Sequence, residues 1–387
     1  VSDDTPTVPD PPIPPDPSVA ADSSAGPDPS VAADSPGAAL VARLSTDVVD
    51  PDAAAREAAV ARWDQRAKPP GSLGRLEALG AWVCATQGRC PPEPIADVRV
   101  LVFAGDHGIA AAGVSAYPSE VTASVVRMIA AGGAAVNVLA REVGAAVAVV
   151  DMSVDDDLDD LGPAVTRHKV RRGTGAIDVG DAMTLDECLA AVDAGRRLVD
   201  DAVDSGAQLL VIGDMGIGNT TPASALVALL TRAEVVEVVG RGSGIDDEAW
   251  MAKAAAVRDA VYRSRTRLGD PLDLLASVGG PDIAAMVGAL VQSALRRTPV
   301  VLDGLVSAAA ALVAQRLSFR VPRWYVAGHL SPEPAHAIAL GRLGLEPLLD
   351  ASMRLGEGTG ALMAVPMVRA SAALLAEMGG IDEVRAG

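Results

Sequence analysis

The stretch Leu209-Leu210-Val211-Ile212-Gly213-Asp214-Met215-Gly216-Ile217-Gly218-Asn219-Thr220-Thr221-Pro222 decides the fold. Its first four residues are all apolar and read as a short strand buried on both faces. The glycine-rich segment after them is a turn. Pro222 suits the first turn of a helix, where a missing amide hydrogen removes nothing. Strand, tight turn and helix in that order are half of a parallel β–α–β unit. The glycines let backbone approach an oxyanion closely, and the free amides at the helix start supply donors with a favourable dipole, so the turn reads as an anion cradle. Neither the Gly-x-Gly-x-x-Gly spacing nor a Gly-Lys-Ser/Thr ending is present, which separates it from dinucleotide and triphosphate loops.

The same pattern recurs on both sides. Short apolar runs at 98–103, 145–150, 300–302 and 325–327 read as further buried parallel strands. Ala-rich helical stretches follow at 118–142, 185–205, 222–231, 246–266, 281–295, 304–316, 333–343 and 360–378. This alternation predicts an α/β fold with a doubly wound parallel sheet, whose ligands sit where the strands end. Ahead of the sheet, a helix from Pro51 through Trp63 to Lys68 is broken by Pro69-Pro70-Gly71, and Ser72 is expected to cap a second helix starting at Leu73. Residues 38–95 thus supply N-terminal helices, 96–345 the α/β catalytic unit, and 346–387 a glycine-rich loop and final helix. Residues 1–37 hold ten prolines, seven aspartates and no Lys or Arg, with the nonapeptide PDPSVAADS at 15–23 and again at 27–35. They read as a disordered tail.

Thirty-two basic residues against fifty acidic ones leave a net charge of −18, which repels nucleic acid and anionic lipid. An anionic substrate must then be held by a small, locally built site. Half the residues are hydrophobic but only nine are aromatic, so the core is Ala, Val and Leu packing. The three cysteines, Cys84, Cys90 and Cys188, form neither a disulfide framework nor a Cys-x-x-Cys site, which fits a reducing cytosol. No uninterrupted apolar run approaches the ~20 residues of a membrane span and no signal sequence is visible, so a cytoplasmic protein is expected.

Further polar clusters mark other strand ends. Gly240-Arg241-Gly242-Ser243-Gly244-Ile245-Asp246 precedes a helix bearing Lys253, and Arg241 and Lys253 are candidate counter-charges. Asp106 and His107 sit side by side after the first strand and invite a hydrolase reading, with a metal or as a catalytic pair. Neighbours on a strand end point in different directions, however, and no second ligand set accompanies them; they are expected to shape the turn. His329 and His336 straddle a proline-interrupted turn instead of sharing a helix face. Neither metal nor cofactor is expected. Arg354-Leu355-Gly356-Glu357-Gly358-Thr359-Gly360 places a carboxylate between glycines just before the last helix. Such an acid serves either as a helix-start charge or as a base held over a pocket.

Seven collinear motifs, Lys68–Glu77, Phe103–Gly108, Gly113–Tyr117, Gly216–Thr221, Val301–Gly304, Gly328–Pro334 and Arg354–Gly360, together resemble the nicotinate-nucleotide:dimethylbenzimidazole phosphoribosyltransferase family over about residues 55–380. The resemblance implies a Rossmann-like sheet with a small helical domain built from both chain ends, and a homodimer. It implies Glu357 as catalytic base, with Ser115, Met215 and Leu355 lining the benzimidazole pocket. It places Asp214, Gly216, Gly218, Ser243, Gly244 and Ser331 on the phosphate and ribose side, with Lys253 near the nucleotide. One position departs: Asp214 stands where the family often has Glu, and it reaches ~1.5 Å less. The activity implied is phosphoribosyl transfer from nicotinate mononucleotide to 5,6-dimethylbenzimidazole, with small-molecule partners only. Rival readings are transfer to another aromatic acceptor, a metal-dependent phosphohydrolase built on Asp106 and His107, and a nucleotide sensor without turnover.

Overall fold

The computed structural model describes residues 36–386. The expected tail therefore lies outside the described residues, except for Pro36 and Gly37. Helices α1 (Pro36–Asp47), α2 (Ala53–Asp64) and α3 (Arg75–Gln87) lead into β1 (Val98–Gly105), α4 (Glu120–Ala130), α5 (Ala135–Val143) and β2 (Ala145–Ser153). Then follow α6 (Leu185–Asp204), β3 (Leu209–Met215), α7 (Thr220–Thr231), α8 (Asp247–Ser264), α9 (Pro271–Val278), α10 (Pro281–Leu295) and β4 (Val300–Leu302). The chain ends with α11 (Leu305–Leu317), β5 (Tyr325–Leu330), α12 (Pro334–Leu343), β6 (Pro347–Asp350), α13 (Thr359–Glu377) and a short terminal helix.

The six strands form one sheet in the order β2-β1-β3-β4-β5-β6, every neighbouring pair parallel. The fold is thus the α/β class that the strand-turn-helix pattern predicts. Alternate side chains of each strand enter opposite layers. Leu101, Phe103, Leu210, Ile212 and Leu302 pack with α6, α7, α10 and α11. Val100, Val102, Val211 and Val301 pack with α3, α4, α5 and α13. From β1 the chain runs outward to β2 and then returns to β3 on the other side of β1. That reversal opens a crevice beyond the carboxyl ends of β1 and β3, where doubly wound sheets bind ligands.

The two chain ends meet. Ala55, Ala59, Trp63, Ala81, Cys84 and Leu375 form a separate apolar cluster. The Arg62 guanidinium donates to the carbonyls of Leu375 at 2.8 Å and Ala376 at 2.9 Å.

Several local expectations are corrected. Ser72 does not cap α3: the helix begins at Arg75 after Gly74, whose φ of +54° no capping side chain accompanies. The stretch 118–142 is two helices, because Gly132 with φ +80° interrupts it. An additional helix, α9, starts where Asp270 accepts from the amides of Leu272 and Asp273 and Pro271 fills the first turn. β6 was not foreseen; it is short, half-buried, and carries Pro347 at its first residue on an edge, where a missing donor is tolerated. Two stretches, Glu120–Val143 and Thr359–Glu377, do reach membrane-spanning length and hydropathy. The first is split into α4 and α5, and the second packs on the sheet, as core helices do.

Candidate active site

Beyond the crevice at β1 and β3 lies a cavity of about 580 Å³. Its walls come from seven segments: the loop 114–117 after β1, Val121 and Val125 of α4, the turn 214–220 at the end of β3, the turn 242–243, residues 304–306 after β4, residues 329–333 at the end of β5, and residues 354–357 after β6. Ser115, Asp214, Met215, Gly216, Gly218, Ser243, Ser331, Leu355 and Glu357 all line it, so residues far apart in sequence converge as expected. Gly244 and Lys253 do not line it.

Glu357 is 5% exposed and adopts a left-handed backbone conformation, φ +61°, between Gly356 at +82° and Gly358 at +86°. A non-glycine residue there is strained and persists only when its surroundings dictate it. Those surroundings are visible. Its amide donates to the Asp214 carbonyl at 2.9 Å, and the close pass beside β3 is possible only because residue 213 lacks a side chain. One carboxylate oxygen, Oε2, accepts from the Val136 amide at 3.3 Å, in the first turn of α5. Burial raises the pKa of Glu357 above the usual carboxylate range; the Val136 amide opposes the shift and the nearby Asp303 adds to it. A buried carboxylate of raised basicity facing a cavity is suited to accept a proton.

Asp214 is also buried, with Asn219 Nδ2 donating to Oδ2 at 2.7 Å. Burial first, then Asp303 and Asp282, push its pKa up to about 8 against the Asn219 hydrogen bond. It is therefore protonated at neutral pH. Behind it His107 Nε2 lies 3.0 Å from Asp282 Oδ2, both side chains wholly buried. Asp106 accepts from Thr122 Oγ1 at 2.6 Å and from the Asp155 amide at 2.9 Å, and Thr122 Oγ1 in turn accepts from the Ile217 amide. Asp106 and His107 thus brace the turns from below, and neither lines the cavity.

The turn at 240–244 is clamped from three sides. Glu333 Oε1 accepts from the Gly242 amide at 2.8 Å, Arg354 Nη1 donates to the Gly242 carbonyl at 2.6 Å, and Ser243 Oγ accepts from the Ala116 amide at 2.9 Å. Lys253 is fully buried under this turn, where Nζ donates to Thr220 Oγ1 at 2.8 Å and to the Gly240 carbonyl at 3.2 Å. Burial lowers its pKa to about 8, with Glu333 opposing. Lys253 itself does not line the cavity; it supports the turn from behind, through Thr220, which does. Among the described residues lining the cavity, the Lys or Arg side chain is Arg354, which the sequence reading quoted but gave no role. Glu333, Asn219 and His329 were likewise missed. Asn219 follows the cradle glycines directly, the one signal that marked it.

Residues 48–385 match the profile of a phosphoribosyltransferase family. The chain is 55% identical over 336 residues to the nicotinate-nucleotide–dimethylbenzimidazole phosphoribosyltransferase of Mycobacterium tuberculosis, covering 87% of this chain and 92% of that protein. It belongs to that family. A further relative of the same name, from Mycolicibacterium paratuberculosis, is 54% identical over 331 residues, covering 86% of this chain and 94% of its own. The crystal structure of the Thermus thermophilus phosphoribosyltransferase of that name superposes with a TM-score of 0.82 at 41% identity, covering 87% of this chain and 99% of the other. In this family member the motifs at 213–221 and 354–360 meet at one cavity wall.

Proposed function

We propose that this chain transfers the phosphoribosyl group of nicotinate mononucleotide to 5,6-dimethylbenzimidazole, giving α-ribazole 5′-phosphate and nicotinate in assembly of the cobalamin nucleotide loop. The observation that carries the reading is Glu357, a buried and basic carboxylate held in a left-handed conformation at the wall of the switch-point cavity. An acceptor nitrogen attacks the anomeric carbon, the bond from that carbon to the pyridinium nitrogen breaks, and nicotinate leaves with the bonding pair. Configuration inverts from β to α. The leaving group is already cationic, so departure needs little acid help, and positioning supplies much of the rate. Glu357 takes the benzimidazole N–H proton as the new bond forms.

The apolar wall of Met215 and Leu355 with Ser115 receives the base. The amides around Gly216 and Gly218, with Ser243 and Ser331, serve the ribose phosphate, aided by Arg354; Gly244, outside the cavity, closes the turn that presents Ser243, neutral Asp214 orients the turn after β3 and Lys253 supports it. We further infer a cytoplasmic homodimer, in which α2, α3 and α13 form a small helical unit on the α/β unit. Exposed Met128, Val138 and Met363 on α4, α5 and α13 support a partnered face. Mass spectrometry of products from the two substrates with and without chelator tests the activity. Equal formation of α-ribazole phosphate in both supports it; metal-dependent release of inorganic phosphate alone overturns it in favour of a phosphohydrolase.

A further inference from the structure

We propose that Asp303 is a positioning residue of this reaction: from the end of β4 it grips the first turn of α13 and so fixes Glu357 in the backbone conformation that turns its carboxylate to the cavity. The proposal rests on the reading of Glu357 as the base.

The helix supplies no cap of its own. Its N-cap residue is Gly358, which has no side chain to satisfy the free amides. Asp303, fully buried on the neighbouring strand end, takes that place: Oδ2 accepts from the Gly358 amide at 3.2 Å and Oδ1 from the Ala361 amide at 2.9 Å. Both oxygens are used as acceptors, the arrangement of a carboxylate, and negative charge is favoured at a helix start; burial raises the pKa of Asp303, while His329 and the amides of Ala361, Gly358 and Gly360 oppose the rise. Glu357 lies directly between two fixed amides. Its own N–H is held by the Asp214 carbonyl, and the next N–H along the chain is held by Asp303. A left-handed conformation is unfavourable for a non-glycine residue, and these two restraints oppose its relaxation.

Asp303 also sets the local charge. The groups facing Glu357 are Asp303 from β4, Asp214 from β3 with the His107–Asp282 pair behind it, His329 from β5, the amide end of α5, and Arg354 in its own loop. Asp214 is neutral below about pH 8, and His107 and Asp282 face each other. After burial, Asp303 is thus what strengthens the basicity of Glu357, and His329 Nε2, 3.6 Å from Asp303 Oδ1, is placed to offset that charge.

Asp303→Asn tests both halves, because an amide keeps one acceptor but turns N–H against N–H at the other, whichever way it flips. The expected result is kcat lower by about tenfold to a hundredfold, with KM for nicotinate mononucleotide within about threefold. The acid limb of kcat against pH moves to lower pH. An Asp303→Asn protein that melts earlier but keeps the wild-type kcat and acid limb overturns the proposal and leaves a simple helix cap. If Asp303→Asn does not fold, Asp303→Ser, which keeps one acceptor without the repelling amide, is measured in its place: wild-type kcat and acid limb there overturn the proposal as well. Glu357→Gln is measured alongside. Full turnover there removes the base reading itself, whereas an inactive Glu357→Gln beside an unaffected Asp303→Asn removes only the positioning role.

Discussion

Replacing Gly213 by alanine adds one carbon at the point where β3 passes the Glu357 loop. A Cβ built there lies 2.5 Å from Glu357 C and Gly358 N and 2.6 Å from the Glu357 carbonyl oxygen. Ordinary carbon contacts begin near 3.5 Å, so one side must retreat by about 1 Å. β3 cannot, because it is a central strand, with Gly213 opposite Val102 of β1 and Ile212 opposite Leu302 of β4. The 356–358 segment yields instead, carrying the Glu357 carboxylate with it. Overpacking of this kind destabilises by ~1–3 kcal/mol, and misplacing a catalytic group by 1 Å lowers the rate by on the order of 10². Nicotinate mononucleotide binding, read by calorimetric titration, should change little, while kcat at saturating substrates falls about a hundredfold. A variant that melts several degrees lower yet turns over within twofold of wild type would refute the link between the Glu357 backbone and the rate.

Other outcomes follow from the same geometry. Glu357→Gln keeps size and hydrogen bonding but cannot accept a proton, so transfer falls by ~10²–10⁴ in a product assay while the nucleotide still binds; near-normal turnover would remove the base assignment. Asp214→Asn turns over nearly normally at pH 7, because Asp214 is protonated there, and it is less damaging than Glu357→Gln. Since the folded pKa of Asp214, about 8, exceeds its unfolded value of 3.8, the wild type loses stability as pH rises between the two. The melting-temperature advantage of Asp214→Asn should therefore grow from pH 5 to pH 8, and a constant difference would contradict the buried neutral acid. Deleting residues 1–35 should leave melting temperature and turnover unchanged, whereas deletion through Val48 removes the fully buried Leu44 and Val48, each contributing ~1.5–3 kcal/mol. Equal melting of the two truncations would show that α1 adds nothing to the core.

The strands were legible because central parallel strands are buried on both faces and read as unbroken apolar runs, as 209–212 does. β6 was not, since an edge strand of Pro347-Leu348-Leu349-Asp350 has neither the length nor the alternation to declare itself. The split of 118–142 was written in Gly132 and Gly133 but outweighed by the helical periodicity around them. At the site, residues following strands could be nominated because the topology gathers strand ends in one place. What sequence could not supply was the pairing across elements. Asp303 meets Gly358, Glu333 meets Gly242, and Arg354 meets Gly242, each over tens of residues or more of chain. The burial of Lys253 was invisible for the same reason: its partners Thr220 and Gly240 lie on other segments.

Two acids, Asp214 and Glu357, stand against the same cavity, and on the proposed reading only Glu357 is the base. Their surroundings divide the task. Asp214 receives a single side-chain donor, Asn219, and faces Asp303, Asp282 and Glu357, so keeping its proton avoids another buried charge. Glu357 receives the Val136 amide at the start of α5, where the helix dipole favours an anion. When the pair loses its first proton it is therefore Glu357 that ionises, leaving Asp214 neutral. In a chain of net charge −18 the acids around this cavity are each compensated locally: Asp214 by its proton, Glu357 by the Val136 amide, Glu333 by the Gly242 amide and Asp303 by the amides of Gly358 and Ala361.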